Sequence, residues 1–329
     1  MKFCYFQPGA KIFKNSKFYQ ISDPLKNPSE FHKTLFSPLA TISDKLKIIY
    51  LKQILSNFDS NDILNDIDIS TKNYLSEFGF SKKFIKFFFQ PFFGGIFLER
   101  ELSTSSSFFK FVFSKFSNGN VVIPKQGIQE IPNQLFKNIN NEKVLFNKKV
   151  TLLDKDKVFF ENGTSIQFNK LVLAGDTNLV NESSINYHSV KCFYFSFNEK
   201  LSSDKYIHLF PEDNLINNVV FISDISPDYA PLDHSLLSVT LIGNFIKTDN
   251  LIKVIQKKLS YFYKINLRKI KFLKEYQIEK ALPVQPMGCF NKKNESSKNI
   301  FMAGDHTTHS SIEGAFLSGK KIAEKLLNL

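Results

Sequence analysis

Residues 299–327 read NIFMAGDHTTHSSIEGAFLSGKKIAEKLL, and no other run in the chain is as informative about its fold. An apolar segment ends in Ala303-Gly304-Asp305, a polar loop follows, and apolar residues then recur at helical spacing from about Ser311 to Leu327. Ser310, with Glu313 three residues later, predicts a capping box at the start of this helix. The run therefore predicts a strand, a loop and a long helix with one apolar face.

The loop between this strand and this helix has the chemistry of a ligand site. A helix N-terminus presents backbone N–H groups and a partial positive charge, which suit a phosphate or another electron-rich group. Gly304 allows another group to approach the backbone closely, and Asp305 can accept hydrogen bonds from sugar hydroxyls. These features predict a polyol-phosphate ligand at the carboxyl end of a strand, where open α/β sheets bind their ligands. The alternative is a plain strand–helix unit with Asp305 in a turn.

The rest of the chain changes pattern several times and contains no internal repeat. Two or three short strands are predicted at 3–20, helices over most of 24–120, strands again over 143–174, and a sheet at 189–243. No Pro- or Ser-rich linker separates these regions. The pattern predicts two domains that interrupt each other in sequence.

Local signals place several boundaries inside these regions. Ser81 begins a helix whose pattern is interrupted by Pro91 and by Gly94-Gly95. KVLFN, residues 143–147, is the first of the predicted strands, and Thr248-Asp249 predicts the cap of another helix.

Composition excludes several classes of protein. Of the 329 residues, 43% are hydrophobic and 22% charged, which is typical of a globular protein with a sizeable core. No stretch reaches about 18 apolar residues, so we predict no membrane-spanning helix, and no signal peptide is readable. Cys4, Cys192 and Cys289 lie far apart, which indicates neither a disulfide framework nor a zinc site. A reducing, cytoplasmic location is therefore expected.

The net charge is +12, but the lysines are scattered rather than striped. We interpret them as surface residues and expect no nucleic-acid partner; an anionic cofactor or a membrane surface is the alternative. The chain has 37 Phe and no Trp, so single Phe residues are interpreted first as core. SKKFIKFFFQPFF, residues 81–93, is either a buried helix or a membrane-contact patch.

Two other groups of polar residues have an ordinary structural explanation. His306 and His309 form H-x-x-H, but no other histidine has the spacing of a further metal ligand, so no metal site is predicted. Glu99-Arg100-Glu101 is interpreted as a solvated loop or an ion pair, with a contact in the substrate domain as the alternative.

The run AGD followed by SIEGAFLSG resembles the C-terminal signature of the FAD-dependent amine oxidase superfamily. That group includes phytoene desaturase-like and protoporphyrinogen oxidase-like flavoproteins. Weaker resemblances occur in the family's order at FFGGIFLERELSTSSSFF (92–109), PKQGIQEIPNQL (124–135), VLFNKKVTLL (144–153) and ALP (281–283). The resemblance covers most of the chain from residue 10 onward.

The resemblance implies a cofactor, FAD, and residues that hold it. Asp305 matches the acidic residue that bonds ribityl or sugar hydroxyls. Ser311, Ile312 and Ala315 match the helix N-terminus that faces the pyrimidine edge of the flavin, where it would stabilise negative charge on the reduced ring. No catalytic side chain is assigned, because flavin carries the chemistry of such oxidations.

The remaining implied contacts are backbone contacts. Gly304 and Gly314 match positions that allow close approach of the cofactor, and Val150 matches the residue whose backbone contacts adenine. One departure is large: the family's G-x-G-x-x-G turn has no counterpart, since none of the 13 glycines forms a G-x-G. We expect a truncated or split gene, with the missing unit supplied as a separate N-terminal segment.

The expected fold is α/β, an incomplete Rossmann-like FAD-binding domain interleaved with an α+β substrate domain. The FAD-binding domain takes residues 124–180 and 286–329, and the substrate domain takes residues 1–123 and 181–285. The expected activity is hydride transfer from a C–H bond of a small lipophilic or amine substrate to flavin, with peripheral membrane contact during substrate uptake. A non-catalytic remnant acting as a binding module is the alternative, and a nicotinamide-dependent dehydrogenase is disfavoured because it too needs a G-x-G.

Overall fold

The computed structural model describes residues 1–23, 26–56, 60–64, 67–139, 144–175, 185–202, 204–243, 250–291 and 299–328. Its strands are β1 Phe3–Tyr5, β2 Gly9–Lys14, β3 Lys17–Ser22, β4 Val122–Pro124, β5 Val150–Asp154, β6 Lys157–Phe160, β7 Ser165–Gln167, β8 Leu171–Leu173, β9 Tyr187–Phe197, β10 Ile207–Leu209, β11 Ile216–Phe221, β12 Ser235–Ile242, β13 Lys271–Pro283 and β14 Ile300–Met302. Its helices are α1 Phe31–Leu35, α2 Ile42–Ser56, α3 Ser60–Leu64, α4 Thr71–Glu77, α5 Lys82–Phe84, α6 Gln90–Phe97, α7 Ser106–Asn118, α8 Glu130–Phe136, α9 Ile222–Ile225, α10 Leu251–Tyr263 and α11 Ile312–Leu327.

A seven-stranded sheet in the order β13-β9-β12-β11-β10-β2-β3 forms the centre of the larger part of the fold. Neighbouring strands run antiparallel except β10 and β2, which are parallel. Successive side chains of a strand point to opposite faces, so Ile12 packs with the helices α2–α7 while Phe13 packs towards α10. The sheet is therefore sandwiched between a helical layer rich in Phe and a single amphipathic helix.

The helix that begins at Ser81 is not broken at Pro91 or at Gly94-Gly95, contrary to the expectation. A π-helical turn, Ile85–Phe89, joins α5 to α6, and Pro91 sits in the first turn of α6, where its missing N–H costs little. A Cβ on Gly94 would lie 2.6 Å from the Glu99 carbonyl oxygen. A Cβ on Gly95 would lie 2.7 Å from Nδ2 of Asn217. The glycines thus let the helix approach the next loop and the sheet, rather than end it.

The Phe residues of 81–93 settle the choice between a buried helix and a membrane patch. Phe84, Phe87, Phe89 and Phe93 are all less than 8% exposed. The buried helix is confirmed, and the membrane patch at 81–93 is wrong, because these rings are the core of the helical layer. In the described part of the chain, no helix is long and apolar enough to span a bilayer.

The charge run after this helix is a solvated loop only at Glu101, which is exposed. Glu99 is 7% exposed and accepts hydrogen bonds from the Thr104 N–H and hydroxyl, each at 3.1 Å. Arg100 donates to the carbonyl oxygens of Asp213 and Leu215, each at 3.2 Å. Arg100 thus ties the helical layer to the loop before β11, which is the contact given as the alternative. Glu101 is exposed and lies 3.6 Å from Lys72 Nζ, which is the expected ion pair.

Three smaller sheets complete the described part of the fold, and one of them is the antiparallel pair of β1 and β4. β8 and β14 form a parallel pair, and β5, β6 and β7 form an antiparallel meander with a turn at Asn162-Gly163 between β6 and β7. The strand predicted at 143–147 is wrong over Val144–Asn147, since Asn147 takes a left-handed φ of 56° and Phe146 is 70% exposed. The cap predicted at Thr248-Asp249 lies outside the described residues.

Candidate flavin site

The candidate site begins where β14 ends. β14 runs parallel to β8, and the Ala303 N–H extends the pairing by donating to the Leu173 carbonyl oxygen at 2.9 Å. Gly304 then takes a φ of +152°, which side-chain-bearing residues rarely adopt. A Cβ there would also lie 2.5 Å from the His306 ring. The strand therefore turns sharply into the loop at a position that only glycine fits.

The cap of α11 is Ser311 and not Ser310. The Ser311 hydroxyl accepts the Gly314 N–H at 2.9 Å, while the Ser310 hydroxyl donates to the Pro283 carbonyl oxygen at 2.8 Å. The predicted capping box of Ser310 with Glu313 is therefore wrong by one residue, because Ser310 is used to fix the loop to the end of β13. Glu313 instead lies 3.5 Å from Lys115 Nζ of α7.

Gly314 is buried in the first turn of α11. A Cβ on it would collide with the carbonyl oxygen of His309, and it would lie 2.9 Å from the Thr308 hydroxyl, which donates to the Gly314 carbonyl oxygen. The close approach that Gly314 allows is therefore the return of the loop 308–309 onto the helix. This loop closure holds the N-terminus of α11 in place.

Asp305 and His306 lie side by side in a short 3-10 turn after Gly304. Burial raises the pKa of the Asp305 carboxyl, and it lowers the pKa of the His306 imidazole. His306 Nε2 is buried and has no hydrogen-bond partner among the described residues. Two polar groups at the end of a parallel strand are thus held partly away from water.

His309 makes the loop's main contact with the helical layer. It is 4% exposed, and its Nδ1 lies 2.9 Å from the Ser311 hydroxyl. Burial lowers the pKa of His309, and its Nδ1 is within hydrogen-bond distance of the hydroxyl that also caps the helix. Among the described residues, no group of three or more His, Cys, Asp or Glu side chains is arranged to hold a metal ion.

The N-terminal face of α11 is open to solvent. Ile312 is 53% exposed, Phe316 is 45% exposed, and Ala315 between them is exposed as well. The residues of α11 that are buried are the small ones, Gly314 and Ser318. The apolar face predicted from the sequence is real, but in the described part of the chain it is not buried against a partner element.

The predicted site residues fall into two places. Gly304, Asp305 and the start of α11 (Ser311, Ile312, Gly314, Ala315) form one continuous loop–helix unit. Val150 lies elsewhere, as the first residue of β5 in the meander, opposite Phe160. A shallow pocket of about 170 Å³, lined by residues 147–149 and 160–162, lies beside it.

Sequence reasoning missed Asp68, which anchors α7 to the C-terminal part of the chain. Its carboxylate accepts from the hydroxyl of Ser105 at 2.8 Å and from the backbone N–H of Gly288 at 2.7 Å. Ser105 in turn caps α7 by accepting the Phe108 N–H at 3.2 Å. The sequence signal was the run STSSS at 103–107, a cluster of residues that favour helix caps.

The sequence also gave no indication of a large apolar cavity between the helical layer and the sheet. It encloses about 540 Å³, within the range of small-molecule sites. Its wall includes rings from α5 to α7 and polar side chains from the sheet, namely Phe84, Phe88, Phe92, Phe113, Phe116, Asn218 and Thr240. Helix α7 connects this cavity to the loop of α11, since Phe113 lines the cavity while Phe111 packs against His309.

Comparison with known families identifies the class of protein. The chain matches the profile of the flavin-containing amine oxidoreductases over residues 5–327. It therefore belongs to this family, and its class is that of the flavin-dependent oxidoreductases. No curated protein matches the sequence.

Solved structures share the fold at low sequence identity. An oxidoreductase from Methanosarcina mazei superimposes with a TM-score of 0.71 at 14% identity, over 98% of this chain and 82% of that one. Putrescine oxidase bound to putrescine gives 0.69 at 11% identity, over 100% and 83% of the two chains. Reduced UDP-galactopyranose mutase gives 0.59 at 13% identity, over 93% and 74%. The fold class is thus confirmed as α/β with a Rossmann-like FAD-binding part.

Proposed function

We propose that the chain is an FAD-dependent oxidoreductase that binds the flavin at residues 304–315. The observation that carries the proposal is the loop–helix unit at the carboxyl end of β14, which places Asp305 and the N-terminus of α11 together. Ile312 and Glu313 begin that helix, and the first N–H groups of a helix have no internal acceptor. Such a terminus favours an electron-rich group, as the pyrimidine edge of a flavin is.

The residues present fit a flavin. His306 Nε2 is a buried polar atom without a protein partner, as expected beside a polar ligand. The face formed by Ile312, Ala315 and Phe316 is apolar and exposed, as expected where a planar ring system packs. Asp305 supplies a carboxylate for ribityl or sugar hydroxyls. The pyrophosphate contact is not assigned, because the 329 residues contain no G-x-G.

Bound flavin would supply the oxidation, by accepting a hydride from a C–H bond of the substrate. The chain's own residues would bind the cofactor and the substrate and would orient them. The terminus of α11 would stabilise charge on the reduced ring, and the buried rings of Phe108 and Phe111 would exclude water from the loop behind it. No side chain of the chain is assigned a proton-transfer step.

The substrate we propose is a small lipophilic molecule that occupies the 540 Å³ cavity. The wall is dominated by Phe and Ile side chains, so the hydrophobic effect favours an apolar occupant. Asn218 and Thr240 add a polar spot on the sheet side, joined by a hydrogen bond from Asn218 Nδ2 to the Thr240 hydroxyl at 3.3 Å. Such isolated polar groups orient a ligand in an otherwise apolar cavity.

Peripheral membrane contact is part of this proposal, at the mouth of the cavity. Leu35, Ile42 and Leu46 line the cavity and yet are 40%, 72% and 62% exposed. Helix α2 is therefore apolar on the solvent side as well as on its core side, which holds Leu51 and Leu55. Lysines on the same helix would face anionic headgroups, so a lipid surface is the occupant that fits this rim.

Three further expectations remain proposals. The division into 1–123 with 181–285 and 124–180 with 286–329 follows from the resemblance. A separate N-terminal segment would pack on exposed apolar residues of β8 and of the end of α11, namely Val172 and Leu327. A cytoplasmic location is the third proposal.

Flavin titration tests the cofactor assignment. The purified chain is titrated with FAD, and quenching of flavin fluorescence is followed for the parent, Asp305→Ala and the matched control Asp156→Ala on the meander. A charged acceptor bond contributes about 1.5–3 kcal/mol, so Asp305→Ala should weaken FAD about 10- to 150-fold. The control should not.

Two outcomes would contradict the assignment. If Asp305→Ala stays within about twofold of the parent, Asp305 is a turn residue and not a ribityl contact. If the parent binds no FAD at any concentration tested, the binding module without catalysis becomes the better explanation.

A further inference from the structure

The charged groups on the wall of the large cavity are unbalanced. Among the described residues of the wall, they are Lys26, Lys45 and Lys52 against one acidic side chain, Asp23. The cavity wall therefore carries two positive charges more than negative ones. This imbalance is unexpected for a cavity in a family named after amine oxidation, because an amine is itself a cation at neutral pH.

The single carboxylate is already shared. Asp23 Oδ2 accepts from Lys52 Nζ at 2.8 Å, and Asp23 also lies close enough to Lys26 to raise its pKa. Lys26 nevertheless has its pKa lowered overall, first by burial and further by the neighbouring charge of Lys52. The ammonium groups of Lys26 and Lys52 thus share the one carboxylate of Asp23 beside an apolar cavity.

Among the described residues, the hydrogen bonds of Lys26 and Lys45 go to neutral carbonyls, while the charge of Asp44 also acts on Lys45 from outside the cavity wall. Lys26 donates to the Phe116 carbonyl oxygen at 2.6 Å and to that of Gly119, and Lys45 donates to the Leu35 carbonyl oxygen at 2.6 Å. Carbonyl dipoles satisfy hydrogen bonds but do not neutralise a charge. An ammonium has three donors, so these groups can each bind a further acceptor.

From this imbalance we propose that the cavity takes an apolar molecule with an anionic head group, a carboxylate or a phosphate. The head group lies against Lys26 and Lys52, and the apolar part lies along Phe88 and Phe92. An amine of the same size is disfavoured, because it adds positive charge where two lysines already repel each other. The inference rests on the proposed function only in that the substrate occupies this cavity.

The test compares ligands that differ only in their head group. Dodecanoate, dodecyl phosphate, dodecylamine and dodecanol are titrated into the purified chain by calorimetry, each below the concentration at which it self-associates. The anions should bind about tenfold more tightly than the amine, with the alcohol between them. The dodecanoate and dodecyl phosphate arms distinguish the two head groups. Equal or tighter binding of dodecylamine would overturn the proposal.

Substitutions within this charge cluster should change the affinity for the anion in opposite directions. Lys52→Gln should weaken the favoured anion about three- to tenfold, whereas Asp23→Asn should strengthen it, because the competing carboxylate is gone. Lys47→Gln is the matched control, since Lys47 lies on the same helix but donates to the Gly79 carbonyl oxygen and not into the cavity.

Two further measurements distinguish an effect on folding from an effect on charge. Lys52→Arg keeps the charge and should bind the anion like the parent. Dodecanol binding should be unchanged in every variant. If Lys52→Gln weakens the alcohol as much as the anion, the lysine shapes the cavity and the charge proposal is wrong. Flavin titration of the same variants is independent of this result, so failure here and failure of the cofactor assignment are distinguishable.

Discussion

The rings of Phe111 and His309 lie 4.5 Å apart, centroid to centroid. Phe111 is on α7, whose neighbouring residues Phe113 and Phe116 line the cavity, and His309 is in the loop that positions α11. This one contact therefore joins the proposed substrate cavity to the proposed flavin site. A movement of α7 would therefore displace residues at both the cavity and the proposed flavin site.

The junction between α7 and α11 should depend on ring packing and not on its ion pair. Phe111 is 3% exposed, so Phe111→Ala should lower the free energy of unfolding by about 3–5 kcal/mol. Lys115 and Glu313 are both exposed, so Glu313→Gln should change it by less than about 1 kcal/mol. Urea unfolding of the two variants measures the difference, and a larger effect from Glu313→Gln would reverse this ranking.

Two glycines of α11 should respond oppositely to the same substitution. Gly314→Ala should destabilise the protein, because its Cβ would collide with the His309 carbonyl. Gly319→Ala should stabilise it by about 0.5–1 kcal/mol, because the position is helical and open. Thermal unfolding of both variants checks this, and similar shifts in the two would show that the loop at 308–309 yields easily.

Asp224 should make the protein less stable as the pH rises. Burial raises the pKa of its carboxyl from 3.8 to about 6, and its Oδ2 has no hydrogen-bond partner among the described residues. Below pH 3.8 both states are protonated and no penalty exists; above about 6 the folded protein must hold a charge that the unfolded chain holds more easily. Since the group is partly exposed, the penalty should be about 1 kcal/mol.

Asp224→Asn tests this dependence. The variant should be more stable than the parent at pH 7 and equal to it near pH 4, as measured by urea unfolding across that range. Asp228→Asn is the matched removal of a carboxylate, four residues away and paired with Lys125 at 3.4 Å. A constant difference between Asp224→Asn and parent at all pH values would exclude titration of Asp224 as the cause.

The apolar rim of the cavity should bind lipid vesicles. Ile42→Ser with Leu46→Ser should weaken co-sedimentation with vesicles that contain anionic lipid by roughly tenfold, because two apolar side chains are lost from the contact. Leu232→Ser is the control, since Leu232 is 89% exposed and does not line the cavity. If the parent, the double variant and Leu232→Ser bind the vesicles equally, the rim of the cavity is not a membrane contact.

Local signals predicted boundaries well where a side chain acts on its own backbone. Ser81 begins a helix as predicted, because its hydroxyl accepts the Phe84 N–H at 3.1 Å. The choice between Ser310 and Ser311 failed because it depends on a distant partner, the Pro283 carbonyl. Two adjacent serines have the same local propensity, so the sequence cannot distinguish them.

Features made by distant parts of the chain were not predictable. Asp68 binds Ser105 and Gly288, and no local pattern links these positions. Strand β13 was missed because it is an edge strand, exposed on both faces along most of its length. Its alternation of apolar and polar residues is confined to a short stretch around Tyr276 and Ile278. The cavity was missed because its wall combines residues of the helical layer with residues of the sheet.

The π-helical turn at Ile85–Phe89 holds one residue more than an α-helical turn would over the same stretch of helix. Because the wide turn absorbs that residue, loss of a single codon there would restore α-helical winding and leave the helix beyond it in phase. Phe92 would stay in the cavity wall, and Gly95 would still face Asn217 on the sheet. This wall of the cavity is thus tolerant of a one-codon deletion at the turn, a change that would rotate every later side chain of an ordinary α-helix by about 100°.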